Sequence, residues 1–481
     1  MVFNSLVFAV FFVVVFLSYY CAGRNNRIQN CILLISSYFF YGCANWKLLP
    51  ILIVSTTIFF FLGLRIKSSE EKAASRLKIA GVMIGIGLLV YFKYLNFFIF
   101  SFARLFESFG LHTNWHFFNI YIPLGISFYT FKLISYVIDV EHEEIEPTRD
   151  FIQFANYIAF FPCILSGPID RPKQILPQLN KVRRFDYSSI NEGVIQFVLG
   201  CFKKIVIADN CAEVVNSVWD TLGNQSGSTL LFAAIIFFFQ IYADFSGYSD
   251  MAIGISRMLG IKVTRNFNHP IFSLSIADYW RRWHISLTQW LTDYVFMPLN
   301  FTLRRYGKVG MIIAITVNFL LVGLWHGPNW NYILFGLLQV VWFIPSIISN
   351  SFMRNEEIEV NHIGLPVAKH FCKMIVTFIL VIINGILFRA ESLAAFWFYC
   401  KVICSKSLLM LPSFQREVNT CALLSCIFIL ILIIMEWKSR NQDYFLENCK
   451  SLAVRCFMLS FYVLTIYFLG QDSNWFIYFQ Y

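Results

Sequence analysis

Thirteen apolar segments, most of them approaching the length needed to cross a bilayer, follow one another along this 481-residue chain with only short polar stretches between them. They run from Phe3 to Tyr20, Cys31 to Ala44, Leu48 to Leu64, Ile79 to Phe92, Phe117 to Ile138, Phe151 to Leu165 and Gly193 to Ala208. The series continues with Thr229 to Ala243, Val309 to Trp325, Trp330 to Ile348, Phe371 to Phe388, Thr420 to Met435 and Ala453 to Leu469. A helix of about 20 apolar residues spans the hydrocarbon core, so allowing for short and interrupted pieces about eleven of these are expected to cross. The chain is 58% hydrophobic and 14% charged, against roughly 25% charged in a soluble protein. That excludes a soluble globular enzyme and predicts an all-α polytopic membrane protein, one integral domain over residues 1–481.

The net charge is +10, an excess that in a membrane protein marks cytoplasmic loops and anionic lipid before nucleic acid. The 13 cysteines are odd in number, and with several in apolar stretches neither a disulfide scaffold nor a zinc ribbon is expected. No Lys or Arg precedes Arg24, so the first segment reads as a retained anchor rather than a cleaved signal. The positive-inside rule then places the N-terminus outside and Arg24 and Arg27 in the cytoplasm. The basic loop from Arg65 to Lys78 falls on the same side two crossings later. By contrast, Asp139 to Asp150 holds six acids against Arg149 alone, and reads as external or as a solvated rim. From Arg257 to Lys308 eight basic residues face only Asp278 and Asp293, interleaved with Trp280, Trp283, Trp290 and Phe296. Such a stretch is expected to be cytoplasmic, amphipathic, partly re-entrant and interfacial.

The most informative residue for chemistry is His326, which ends a long apolar segment and immediately precedes Gly327 and Pro328. A helix broken at membrane depth is tolerated only where its freed backbone is buried in protein or lines a cavity. An ionisable residue at such a point is a functional candidate by default. A helix C-terminus favours the charged imidazole and burial the neutral one, a balance that suits a general base. The alternative is a neutral histidine tying helix ends together; the break, Trp325 and the polar neighbours Asn329 and Asn331 favour catalysis.

A second group, Asp244, Ser246 and Asp250, interrupts apolar sequence, where carboxylates need partners. They either orient a substrate or pair with the arginines of the 257–308 stretch. A third, Arg281, Arg282 and His284, stands beside Trp280 and Trp283, and arginine pairs suit phosphate. A coenzyme A nucleotide or an acidic carrier protein would need such a surface, and so would interfacial anchoring. Pro123 to Ser127 and Ser166 to Arg171 place Pro and Gly beside apolar segments, as broken helices around a cavity do. No G-x-S-x-G nucleophile elbow is present, and no His, Cys and carboxylate set has metal-ligand spacing.

Together PLGISFYTFKLISYVIDV, SGPIDRPKQILPQL, QIYADFSGYSDMAIG, NFNHPIFSLSIADYWRRWHISLTQWLTDYVFMPL and LVGLWHGPNWNYILFG, over residues 123–336, resemble the bacterial branch of the membrane-bound O-acyltransferase family. The long middle motifs look most like its alginate type. The resemblance implies about eleven crossing helices plus re-entrant and interfacial ones around a central tunnel, with the catalytic histidine of the L-W-H-G motif at His326. It implies transfer of an acyl group, acetyl from acetyl-coenzyme A first, towards a cell-surface polysaccharide at the bacterial cytoplasmic membrane. It also implies an exported serine esterase-like (SGNH) partner, with no tightly bound cofactor. D-alanyl transfer from a carrier protein to teichoic acid is the alternative within the class, and a polar-lipid or glycan transporter the alternative outside it. Residues 475–481, WFIYFQY, resemble terminal aromatic motifs of this branch. Tyr481, or else Tyr478, is a candidate acyl relay, with interfacial anchoring as the competing reading.

Overall fold

A computed structural model describes residues 1–111, 117–352, 354, 356–447 and 449–471, and among these no strand forms beyond one isolated bridge between Val360 and Pro366. The aromatic tail with Tyr478 and Tyr481 lies outside the described residues. Among the described residues eight stretches are long and apolar enough to cross a membrane, against the eleven or so expected for the chain. Two of them, Asn26–Lys67 and Glu71–Ser108, each contain more than one helix. The Leu6–Cys21 helix is apolar but shorter. The chain divides into two compact units, residues 1–194 with 251–264, and residues 195–250 with 265–481.

In the first unit several helix starts are capped by short polar side chains. Ser5 accepts from the Phe8 N–H, Asn25 from Ile28, and Asp150 from Ile152 and Gln153, each removing an orphan donor of a helix start. Two expected crossings change character. Residues 117–125 are not helical, and the Ile126–Glu141 helix that follows is buried along almost its whole length. The Phe151–Ala159 helix has only nine residues, with Gln153 to Ala159 all buried, too short for a bilayer crossing. Its apolarity serves packing inside protein.

The acidic stretch after Asp139 and the basic 65–78 loop do not separate to opposite sides. Glu141 pairs with Lys78 at 2.9 Å and Glu146 with Lys67 at 2.9 Å, and Glu144 reaches Lys173 at 3.0 Å. It therefore lies on the same face as the basic 65–78 loop, as a solvated rim. Opposite charge, not the membrane, sets its place.

The second unit contains residues 227–250 of the Gly227–Met258 helix, the most buried of the spanning stretches. The Leu452–Leu469 span is buried over very little of its apolar window, as a lipid-facing helix is. In the basic 265–308 region the helices are short, Ile276–Arg282 and Ile285–Leu291, separated at Trp283 and His284. Trp280, Trp283, Trp290 and Phe296 are all buried, which corrects the interfacial reading of these aromatics: they are core. A surface aspect returns towards the end of the stretch, where Arg304 and Arg305 stack over the exposed Phe301 and Tyr306 and Lys308 is exposed.

The Gly307–His326 and Trp330–Ile348 helices form a hairpin of close backbone approach. A Cβ on Gly323 would stand 2.1 Å from the Tyr332 carbonyl oxygen, and one on Gly336 2.3 Å from that of Phe319. Small residues at both crossings let the backbones meet. Either Gly323→Ala or Gly336→Ala is expected to cost roughly 1–3 kcal/mol through overpacking, read as a lower thermal midpoint of the purified protein. Gly87→Ala, inside a helix where a Cβ meets nothing within 4 Å, is the control and does not lower the midpoint.

Candidate active site

His326 is the last helical residue before the hairpin turn. The Gly327 N–H returns to the Leu324 carbonyl at 3.1 Å, and the chain reverses through Pro328. Asn329 caps the next helix, its side chain accepting from the Asn331 N–H at 3.0 Å. Asn331 then donates to the Ala390 carbonyl at 2.7 Å, just past the Ala368–Arg389 helix. Both asparagines flagged from the sequence therefore hold the turn. Asn329 is exposed and Asn331 is buried.

The imidazole is 8% exposed and borders a cavity of about 60 Å³, room for a few waters or a small group. Phe237, Phe238, Trp280, Trp283 and Phe388 contribute its aromatic walls, and Gln339 and Asn384 its other polar side chains. Those amides are oriented by indoles: Trp280 Nε1 donates to Gln339 at 3.1 Å and Trp342 Nε1 to Asn384 at 3.1 Å. Phe388 and Phe335 meet the His326 ring edge to face, at 5.0 and 5.8 Å between centroids. A base enclosed in this way acts in a site from which bulk water is largely displaced, where electrostatic effects are strong.

A line of rings leads away from His326. Trp325 stands 4.9 Å from it, His284 5.3 Å from Trp325, and Phe245 4.6 Å from His284. His284 is buried and has a left-handed backbone, φ 44°, sparsely populated for a non-glycine residue and characteristic of functional sites. Burial, reinforced by His326, pushes its imidazole well below the usual pKa, so it is neutral. The two histidines thus belong to one aromatic assembly, a link that sequence reading did not draw.

The carboxylates have partners, but not the arginines expected. Asp244 meets Lys204 at 2.7 Å and Asp250 meets Lys203 at 2.9 Å. Lys204 also holds Asp209 at 2.8 Å, while Lys203 lies 3.7 Å from Glu436. Tyr242 donates to Glu436, and His269 stands 3.6 Å from its other oxygen. Both lysines sit in the π-helical turn Phe202–Ala208. Sequence reading missed them, although a Lys-Lys pair inside the apolar run after Cys201 was a usable signal. Ser246 is buried on the same helix as Asp244.

Arg282 donates to Asp278 at 2.9 Å and to the Asn268 carbonyl at 3.4 Å; Arg281 donates to the carbonyls of Phe352 and Arg354, each at 3.2 Å. Much of the donor capacity read as a phosphate surface is spent within the protein. Among the described residues no group of three or more His, Cys, Asp or Glu is placed to hold a metal ion.

Comparison with known proteins gives a consistent result. Residues 143–387 match the model of the membrane-bound O-acyltransferase family. The chain is 38% identical over 402 residues to "Probable alginate O-acetylase AlgI" of Pseudomonas aeruginosa, covering 82% of this chain and 74% of that protein. It is 32% identical over 370 residues to the "Peptidoglycan O-acetyltransferase" of Helicobacter pylori, covering 70% and 69%. With the "Teichoic acid D-alanyltransferase" of Bacillus subtilis the identity is 32% over 232 residues, covering 46% and 58%.

Removing one member of the lysine cluster leaves like charges buried together. Lys204→Met is expected to cost roughly 3–5 kcal/mol by stranding Asp209 and Asp244. Adding Asp244→Asn restores part of that loss, because one of the stranded charges is gone. Thermal unfolding of the single and double variants in detergent checks both; an unchanged midpoint in Lys204→Met contradicts the pairing.

Proposed function

This chain belongs to the membrane-bound O-acyltransferase family, and we propose that it moves an acetyl group from a cytoplasmic donor for the O-acetylation of a cell-surface polysaccharide, with His326 as general base. The observation that carries this reading is the position of His326, buried at a helix break and facing a small, mostly aromatic cavity. The family assignment replaces the transporter alternative. The enzyme is a multi-pass membrane O-acyltransferase; its bacterial cytoplasmic membrane and external N-terminus are part of the proposal.

In this reading acetyl-coenzyme A is the donor substrate. His326 takes the proton of the accepting hydroxyl, the oxygen attacks the thioester carbonyl, and the thiolate leaves with the proton returned from the imidazolium. The neutral, ring-packed His284 and Trp325 hold the His326 ring in place. An exported partner of the serine esterase-like (SGNH) type completes transfer to the polymer, with Tyr481, or else Tyr478, carrying the acyl group between them as a phenyl ester. Arg281 and Arg282 retain a place near the donor only through whatever donors their internal hydrogen bonds leave.

D-alanyl transfer from a carrier protein to teichoic acid is the second reading, favoured by the relative that bears that name. Its match spans less than half of this chain, whereas the alginate-type relative covers most of it, so acetyl is placed first. Small acyl groups suit both readings.

Acetyl transfer from radiolabelled acetyl-coenzyme A in proteoliposomes tests the proposal, with wild type and His326→Ala compared at matched folded amounts. Loss of a general base is expected to lower the rate by about 10²–10⁴-fold. Equal label in both removes His326 from the mechanism. The relay is tested by intact mass: an acetylated wild-type chain is expected, and its persistence in Tyr481→Phe moves the role away from Tyr481.

A further inference from the structure

The first unit contains a buried guanidinium that the acyltransferase reading does not use. Arg183 is 5% exposed. Its Nε donates to the Tyr19 hydroxyl at 2.6 Å, one terminal nitrogen to Asn30 at 2.7 Å, and the other to Asn26 and to the carbonyls of Leu179 and Lys181. Every one of these acceptors is neutral. Asp186, the acid nearest in sequence, is exposed and accepts from Ser189. Buried charges in proteins are ordinarily neutralised by a counter-charge, and the described residues supply none to Arg183.

Directly beside it lies an open polar pocket. Asn26, which accepts from Arg183, lines it together with Ala22, Arg24, Asn25, Arg27, Asp150 and Val182. Arg24 and Arg27 are exposed, and among the described residues neither forms an ion pair or a side-chain hydrogen bond. Val182 is flanked by the exposed Lys181 and by the Arg183–Arg184 pair. Against this stands one carboxylate, Asp150, whose Oδ1 is occupied in capping the Phe151–Ala159 helix. Close in sequence to the lining residues Arg27 and Val182, Ile28 and Phe185 are exposed at 47% and 59%, an apolar and aromatic border to a cationic pit.

We infer that this pocket binds a phosphate-bearing anion, the headgroup of an anionic phospholipid in the leaflet that faces Arg24 and Arg27. Positive-inside charge places that leaflet on the cytoplasmic side, and basic pockets between helices there recognise lipid headgroups. Two mobile guanidinium forks take the phosphate oxygens, the buried Arg183 adds a fixed positive field beneath them, and the exposed aromatic border meets the glycerol and upper acyl region. A soluble phosphate would satisfy the same cations but not the apolar border.

The test uses the full chain in detergent, with native mass spectrometry and thermal midpoint recorded in phosphatidylglycerol, in phosphatidylcholine and in inorganic pyrophosphate without lipid. Wild type is expected to retain phosphatidylglycerol over phosphatidylcholine and to gain midpoint from it. Arg24→Gln with Arg27→Gln weakens retention on the order of tenfold, while the exposed pair Arg304→Gln with Arg305→Gln leaves it unchanged. Asp150→Asn keeps a capping side chain and removes the opposing charge, so it strengthens retention, a gain that misfolding does not produce. Undiminished retention in the Arg24 and Arg27 variant, or equal retention of the two lipids, overturns the site. A midpoint gain from pyrophosphate that requires Arg24 and Arg27, with none from phosphatidylglycerol, overturns the lipid assignment in favour of a soluble phosphate.

Discussion

The close approach of the Gly307–His326 and Trp330–Ile348 helices is the constraint on which the site depends. With carbonyl oxygens where a Cβ would stand at Gly323 and Gly336, the hairpin has no slack along its length. The turn after His326 is then fixed by Asn329 at one helix start and by Asn331 reaching the end of a third helix. The imidazole is carried on that frame, and its ring is confined by Phe335, Phe388 and Trp325. A base that must meet a thioester and a hydroxyl in one geometry benefits from a scaffold that removes its rotational freedom before the reaction.

The second structural demand is charge. The mostly buried Gly227–Met258 helix carries Asp244 and Asp250, and each is matched by a lysine from the Phe202–Ala208 turn. That turn is π-helical, a geometry often found as a local widening of a helix at functional positions. Here it offers consecutive lysines to carboxylates on a neighbouring helix. The pairs keep charges in the interior without exposing them to lipid, where an unpaired ionisable group is expensive.

The helix break at His326 was legible because its signal is local: a histidine, a glycine and a proline stand together at the end of an apolar run. Asn331 was legible as important but not as a strut, since its partner is the carbonyl of Ala390, 59 residues further on. The carboxylate partners were misread for the same reason, proximity in sequence to the arginines outweighing a lysine pair tens of residues earlier. Phe151 to Leu165 looked like a crossing because hydropathy does not distinguish a lipid-facing helix from one buried in protein. The same blindness turned Trp280, Trp283 and Trp290 into interfacial anchors. The acidic loop after Asp139 was placed by its charge sign alone, whereas Lys67 and Lys78 decide where it rests.

The claim that joins these observations is that acyl chemistry takes place in the cavity beside His326. A structure of the full chain with a hydrolysis-resistant acetyl-coenzyme A analogue measures this most directly. The account predicts the acetyl group among Trp280, Trp283 and Phe388 with its carbonyl carbon facing the His326 imidazole. An analogue ordered elsewhere in the protein, with that cavity empty, contradicts it.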